Sequence, residues 1–212
     1  MTEQTLNNIL AIDTSGSRLI LALSYGGDRL VQSDNVVDRS HGQVLLKKID
    51  ELFSSAALSP GDLQALIVTL GPGSFTGLRI GLAAAKGMAV ALGIPILGVS
   101  LFEIAAFKLP DLPEPVHVII PSRAGEVYCG TVAGRQVDRS DFSVVTADEL
   151  AGTVGDRRVY GMGVNPASVC PEANVESERP EVTFSGADML YLGRSRLEAG
   201  ERSDVDGLEP LY

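Results

Sequence analysis

The order of secondary-structure signals in the first hundred residues is the feature that most constrains this fold. Apolar runs alternate with turn signals, and the Gly26-Gly27 pair between two of them is typical of a two-residue turn joining antiparallel strands. The predicted strands cover residues 8–13, 18–25, 28–37, 63–69 and 94–99, and the predicted helices cover residues 41–57 and 78–92. The chain therefore opens with a predicted three-strand meander, to which helix, strand, helix and strand are added in turn.

A second, weaker copy of this order follows a proline-rich stretch at residues 107–115. Its predicted strands cover residues 116–120, 126–132, 136–145 and 158–160, with a short helix after Thr146 and a final helix over residues 185–199. Thr146 and Glu149 have the spacing of a capping box. The repeated order is that of an RNase H-like lobe, the half-unit of the actin, Hsp70 and sugar-kinase superfamily. We predict an α/β fold of two such lobes, each a mixed sheet with flanking helices, over residues 1–107 and 108–212, the second smaller and degenerate.

Charge and cysteine content argue against several classes of protein. The 212-residue chain has a formal net charge of −10 and no basic cluster, which disfavours binding of nucleic acid or a membrane by the chain alone. Cys129 and Cys170 form no CxxC motif, and the polar N-terminus lacks the basic region of a signal peptide. We therefore expect reduced thiols and a cytoplasmic protein. The most apolar stretch, residues 78–99, contains Lys86 and is interpreted as buried structure rather than a membrane span.

The sequence has no motif that assembles a reaction centre. Its only histidines are His41 and His117, and it contains no HxxxH or HExxH metal pair and no G-x-S-x-G nucleophile motif. We therefore expect no catalytic residue, no metal site and no cofactor.

Two loops have compositions that suit phosphate binding, and each also has a purely structural interpretation. Asp13, Thr14 and Ser15 end the first strand, where actin-like folds hold nucleotide phosphate, but they also suit a tight turn stabilised by local amide groups. The second loop precedes the helix at residues 78–92, where amides at a helix start attract anions. It is neither a Walker A loop nor a GxGxxG motif, and its glycines equally suit a closely packed turn. Its candidate residues are Gly71, Gly73, Ser74, Thr76 and Gly77.

The two helices of the first lobe carry more apolar surface than one sheet covers. One side of the second helix reads Gly81, Ala84, Ala85, Met88, Ala91 and Leu92, and the opposite side reads Ile80, Ala83, Gly87 and Val90. Since a sheet covers only one side of a helix, the other side predicts a protein partner, the alternative being that the second lobe covers it. The predicted partner-interface residues are Leu46, Ile49, Phe53, Arg79, Leu82, Ala84, Lys86 and Met88.

Several segments together resemble one known family. The segments ILAIDTS at Ile9–Ser15, HGQVLL at His41–Leu46 and LGPGSFTGLRIG at Leu70–Gly81 resemble the TsaB family, also called YeaZ. Arg123–Tyr128 resembles that family's Ala-Arg-x-Gly-Glu-Val-Tyr segment, although Pro121-Ser122 stands where the family usually has Asp-Ala. Glu209-Pro-Leu-Tyr212 resembles its closing Pro-x-Tyr-Leu-Arg without the Leu-Arg.

The resemblance implies a noncatalytic scaffold. It would be an accessory subunit of the complex that transfers threonylcarbamoyl from threonylcarbamoyl-adenylate to the adenosine next to the anticodon in tRNA. Catalysis is then expected in a TsaD-like subunit, and a TsaE-like ATPase joins the complex. The chain alone is expected to form a homodimer through the same helices, to meet tRNA only through the complex, and to keep Asp13–Ser15 as a vestigial phosphate loop. The alternatives are a small ATPase or kinase of the actin superfamily and a peptidase, for which no nucleophile constellation is present.

Overall fold

The computed structural model describes residues 6–37, 41–172 and 181–211. Residues 1–5, on which the prediction that the N-terminus is not a signal peptide partly depends, and Tyr212 lie outside the described residues. The chain divides into two compact units, the first made of Met1–Ser100 with Ser185–Tyr212 and the second of Leu101–Phe184. Each unit contains its own mixed sheet.

The sheet of the first unit contains the predicted meander and two added strands. Its strands are β1 (Ile9–Asp13), β2 (Arg18–Tyr25), β3 (Arg29–Val36), β4 (Ala65–Gly71) and β5 (Ile96–Ser100), in the order β3-β2-β1-β4-β5. β1 pairs antiparallel with β2 and parallel with β4, and β4 pairs parallel with β5. Every residue of β1 and β4 is buried, as expected of central strands covered on both faces.

Helices cover both faces of this sheet. The first unit contains α1 (His41–Ala56), α2 (Phe75–Leu92) and α6 (Gly186–Glu198). α1 and α2 share a core cluster with Leu66 of β4, whereas Gly193 of α6 packs against Ile67. Because neighbouring side chains on a strand point to opposite faces, α6 lies on the face away from α1 and α2.

The second unit repeats the topology of the first. Its strands are β6 (Val116–Pro121), β7 (Glu126–Ala133), β8 (Gln136–Val137), β9 (Ser143–Thr146), β10 (Val159–Met162) and β11 (Glu181–Val182), and its helices are α3 (Leu101–Lys108), α4 (Ala147–Val154) and α5 (Pro166–Val169). The order is β11-β10-β6-β7-β8, with β9 also paired to β7. β6 pairs antiparallel with β7 and parallel with β10, just as β1 pairs with β2 and β4. The prediction of two RNase H-like lobes is confirmed.

The division between the units differs from the predicted boundary after residue 107. α3 follows β5 yet contacts β7 and β8, and α6 follows β11 yet contacts β1, β2 and β3. The final helix of each half is therefore exchanged, so residues 101–107 belong to the second unit and residues 185–212 to the first. Helix periodicity does not reveal such an exchange, because it predicts an apolar stripe and not the sheet that covers the stripe.

Local predictions are confirmed in some places and revised in others. Gly26 and Gly27 have positive φ values of +55° and +93°, but Tyr25 pairs with Arg29, so the turn contains three residues, Gly26 to Asp28, instead of the predicted two. α2 begins at Phe75 instead of residue 78, because the Ser74 hydroxyl accepts a hydrogen bond from the Gly77 amide and caps the helix inside the glycine-rich loop. A 3-10 turn at Arg139–Asp141 splits the strand predicted over residues 136–145 into β8 and β9.

Among the described helices, α2 is long and apolar enough to cross a membrane, judged by length and composition only. This is weak evidence, because a helix that packs in a protein core passes the same test. α2 places Leu78, Leu82 and Ala85 in the core of the first unit. The absence of a membrane partner stays a prediction.

Candidate functional site

The turn between β1 and β2 contains the predicted vestigial phosphate loop. Asp13 is buried, and its Oδ1 accepts hydrogen bonds from the Thr69 hydroxyl at 2.5 Å and from the Ser15 amide at 3.0 Å. Burial raises the pKa of Asp13 because it disfavours the charged carboxylate, while the hydrogen bonds from Ser15 and Thr69 oppose that rise. Donors from the protein itself therefore engage this carboxyl group.

The glycine-rich loop lies directly against this turn. The Ser74 amide donates to the Ser15 carbonyl oxygen at 2.7 Å, and the Thr14 hydroxyl donates to the Gly77 carbonyl oxygen at 2.8 Å. The structure thus brings together two loops that are about sixty residues apart in sequence. Thr76 is exposed in the first turn of α2 and takes no part in these bonds.

The glycines of this loop are required for close packing. A Cβ atom placed on Gly73 would lie 2.3 Å from the Ser15 carbonyl oxygen, and one on Gly77 would lie 2.1 Å from the Thr14 carbonyl oxygen. Gly71 has φ +103°, a conformation that side chains disfavour. Of the two interpretations left open by the sequence, the packed turn is the one that this geometry supports, because backbone from the β1–β2 turn occupies the space beside the loop.

The second unit has a short glycine segment at the corresponding strand end. Gly161 and Gly163 flank the end of β10, and a Cβ atom on Gly161 would lie 1.8 Å from the Val164 carbonyl oxygen. The helix that follows, α5, has only four residues and is capped by the Asn165 side chain, which accepts a hydrogen bond from the Ala167 amide. The space beside Gly161 is therefore also occupied by backbone atoms of the following residues.

Three of the predicted partner-interface residues are core residues. Ile49, Phe53 and Leu82 are between 3% and 5% exposed and belong to the core cluster shared by α1, α2 and the first sheet. Ala84 and Met88 are half-buried against the same cluster. These predictions are corrected: the stripe taken for partner surface is largely the stripe that faces the sheet.

Leu46 and Arg79 are exposed as predicted, whereas Lys86 is half-buried and bonded within its own chain. The Arg79 guanidinium carbon lies 3.8 Å from the centroid of the Phe75 ring, which is itself 53% exposed. The prediction missed Phe75 because it placed that residue in the loop before the helix.

Small and apolar residues are exposed on the outer sides of the two helices. Gly42 of α1 lies beside α2, because a Cβ atom placed on it would be 3.6 Å from Cδ1 of Ile80. Val90 is 69% exposed and Leu46 is 65% exposed. We call this surface the α1–α2 face. It comprises Gly42, Leu46, Ile80, Ala83, Gly87 and Val90, all exposed except the half-buried Ile80.

A cysteine–histidine pair in the second unit bears on the peptidase alternative. Cys129 Sγ lies 3.9 Å from His117 Nδ1. Burial raises the pKa of Cys129 to about 11, whereas burial and the nearby Arg157 lower the pKa of His117. A nucleophilic cysteine needs the opposite shift, toward a stable thiolate. This pair therefore lacks the electrostatics of a cysteine peptidase.

The described residues contain no group of three or more His, Cys, Asp or Glu side chains placed to hold a metal ion. Both cysteines are free and buried.

Comparisons with known proteins match the chain to a TsaD family model and to TsaB proteins. The model of the family described as TsaD, tRNA N6-adenosine threonylcarbamoyltransferase, matches residues 33–193. The chain is 36% identical to the tRNA threonylcarbamoyladenosine biosynthesis protein TsaB of Haemophilus influenzae, over 63% of this chain and 57% of that protein. It is 34% identical to the TsaB protein of Bacillus subtilis, over 96% of this chain and 93% of that protein.

A solved structure shares the fold over the whole chain. YeaZ from Pseudomonas aeruginosa superposes with a TM-score of 0.76 at 24% identity, covering 98% of this chain and 100% of that one. The fold, the glycine-rich loop and the match to nearly the full length of the Bacillus relative converge, and the chain belongs to the TsaB (YeaZ) family, with an actin-like fold.

Proposed function

We propose that this chain takes part in the biosynthesis of threonylcarbamoyladenosine in tRNA as a noncatalytic partner subunit. In this proposal a TsaD-like subunit transfers threonylcarbamoyl from threonylcarbamoyl-adenylate to the adenosine next to the anticodon. The present chain docks on that subunit and activates it, a TsaE-like ATPase joins the assembly, and tRNA is met only through the complex. The printed names of the relatives in Haemophilus and Bacillus support the pathway.

One observation supports the noncatalytic part of the proposal. At the loops where actin-like enzymes hold phosphate, backbone atoms of this chain occupy the space that a phosphate would need. The Ser15 and Thr14 carbonyl oxygens occupy the space beside Gly73 and Gly77, and the Ser74 amide is bonded to Ser15. Amide groups that bind an anion must point at open space. In this chain the Ser74 amide donates to the Ser15 carbonyl oxygen and the Gly77 amide donates to the Ser74 hydroxyl oxygen, so these two donors are already engaged. The carbonyl oxygens of Thr14 and Ser15 carry partial negative charge and would repel a phosphate placed beside Gly73 and Gly77.

The α1–α2 face is the docking surface in this proposal. Its residues are small or apolar, so they let another helix approach closely and lose little solvation when covered. The match of this chain to the TsaD family model supports a partner that is itself a relative with corresponding helices. The same argument supports a homodimer when the chain is alone.

The overall charge supports contact with tRNA through a partner, and the cysteines support a cytoplasmic location. A net charge of −10 repels phosphate, so an acidic subunit favours contact with tRNA through a partner. Free buried thiols suit a reducing compartment, and we propose a cytoplasmic location.

Calorimetry of the isolated chain distinguishes this proposal from a small ATPase or kinase. We expect no heat of binding when ATP and Mg²⁺ are titrated up to millimolar concentration, because a bound phosphate would have to displace the β1–β2 turn. Titration of a TsaD-like protein from the same organism should give saturable binding. Micromolar affinity for ATP in the isolated chain would instead favour the enzyme.

A further inference from the structure

The C-terminal segment of the first unit, Ser203–Leu211, contains no helix or strand, yet it is bonded along its length. We call it the strap. At its start the Ser203 amide donates to the Ile96 carbonyl oxygen at 2.9 Å, and the Ser203 hydroxyl accepts from the Gly98 amide at 3.0 Å. Ile96 and Gly98 belong to β5, which ends the sheet. The strap therefore covers part of an otherwise open sheet edge.

The middle of the strap is bonded to α2. Lys86 Nζ donates to the carbonyl oxygens of Asp206 and Leu208, both at 3.2 Å. The Asp204 carboxylate accepts from the amides of Asp206 and Gly207, which shapes the turn that presents these carbonyl groups. The Leu208 side chain is 8% exposed and belongs to the same core cluster as α1 and α2. Lys86 thus joins α2 to the strap by hydrogen bonds, and Leu208 adds apolar packing to the same junction.

The end of the strap is bonded beside the glycine-rich loop. The register between β4 and β5 shifts between Thr69 and Gly71, as at a β-bulge, which leaves Leu70 outside the ladder. The Leu211 amide donates to the Leu70 carbonyl oxygen at 2.7 Å. A Cβ atom on Gly71 would lie 2.8 Å from the Leu211 carbonyl oxygen, so the strap and the loop are in direct contact.

We propose that the strap is a clamp that fixes α2 in place. It holds the loop that begins the helix through Leu211, and it holds the middle of the helix through Lys86. α2 carries Ala83, Gly87 and Val90 of the α1–α2 face on its outer side, and four of its six buried residues are glycine or alanine, which contribute little apolar packing to hold it. The clamp therefore keeps the outer side of the helix ordered. Its consequence for docking rests on the proposed function.

Hydrogen exchange measured by mass spectrometry tests the clamp. Lys86→Met removes the two hydrogen bonds and keeps a long apolar stem, and Lys47→Met changes an exposed lysine of α1 as the control. We expect exchange in peptides covering the strap and α2 to become about tenfold faster in Lys86→Met, since two hydrogen bonds from a charged, partly exposed donor are lost. Exchange in Lys47→Met should match the parent. Equal exchange in α2 for the two variants would overturn the clamp.

A second pair of variants acts on the strap without changing α2. Leu211→Pro removes the amide that donates to Leu70, whereas Leu211→Ala shortens the side chain but keeps the donor. We expect exchange in the glycine-rich loop and the first turn of α2 to be several-fold faster in Leu211→Pro than in Leu211→Ala. Equal rates for this pair would contradict a clamp at that end.

Affinity for a TsaD-like protein, measured by calorimetry on the same variants, tests the consequence for docking. We expect Lys86→Met to bind several-fold more weakly than Lys47→Met. Faster exchange in α2 with unchanged affinity would overturn the link between clamp and docking. If the parent chain itself does not bind a TsaD-like protein, the proposed function fails, and the exchange data still decide whether the clamp exists.

Discussion

Replacing Gly87 by arginine is expected to weaken binding of a TsaD-like partner by at least about a hundredfold, because it places a long charged side chain at the centre of the α1–α2 face. The chain itself should stay folded. No atom lies within 4 Å of a Cβ placed on Gly87, and its backbone is helical. Glycine inside a helix is less favourable than other residues by roughly 0.5–1 kcal/mol, so the folded state should be as stable as before or slightly more stable.

A matched control exists in the second unit. Gly152 is also an exposed helical glycine, in α4, with no atom within 4 Å of a placed Cβ. Gly152→Arg adds the same charge and bulk at a residue that is not part of the α1–α2 face, and it should bind the partner as the parent does. Calorimetric titration of the three proteins makes the comparison. Undiminished binding by Gly87→Arg would show that the docking surface is not the α1–α2 face.

Replacing Gly77 by alanine is expected to lower the free energy of unfolding by about 3 kcal/mol or more. The added methyl group would lie 2.1 Å from the Thr14 carbonyl oxygen. That oxygen belongs to backbone and cannot swing aside like the end of a side chain. The turn that carries it is also held to the loop by the hydrogen bonds from Thr14 to Gly77 and from Ser74 to Ser15. Relief of the contact therefore requires the two loops to separate.

Urea denaturation of Gly77→Ala beside Gly87→Ala measures this effect. Both variants add one methyl group to a glycine of α2, but Gly87→Ala adds it to open space and should be neutral or stabilising by up to about 1 kcal/mol. If Gly77→Ala has the same free energy of unfolding as the parent, the β1–β2 turn can be displaced at little cost in free energy. Room for a phosphate would then exist, and the noncatalytic interpretation would lose its main support.

The sequence predicts the fold well because its signals for strands, turns and helices are local. The Thr146–Glu149 capping box and the position of the turn at Gly26-Gly27 are read from neighbouring residues, and both are present in the structure, although the turn has three residues instead of two. The exchange of α3 and α6 between the units is not local: it depends on which sheet each helix covers, and an apolar stripe carries no such information.

The candidate site is harder to predict for the same reason. Because α2 is apolar all round, periodicity cannot decide which side faces the sheet, and it assigned Leu82 to the surface and Gly87 to the other side. Gly73 and Gly77 must be glycine because the backbone of the β1–β2 turn, about sixty residues earlier in the chain, lies against them. Lys86 was assigned to a partner because its acceptors, the carbonyl oxygens of Asp206 and Leu208, lie in the distant strap.

A transfer assay with purified components tests the proposed noncatalytic, activating role. Threonylcarbamoyl-adenylate and unmodified tRNA are supplied to this chain alone, to a TsaD-like protein alone, and to the two together, and modified adenosine is quantified. We expect no product from this chain alone and much more product from the pair than from the TsaD-like protein by itself. Modified tRNA formed by the purified chain without a partner would contradict this role.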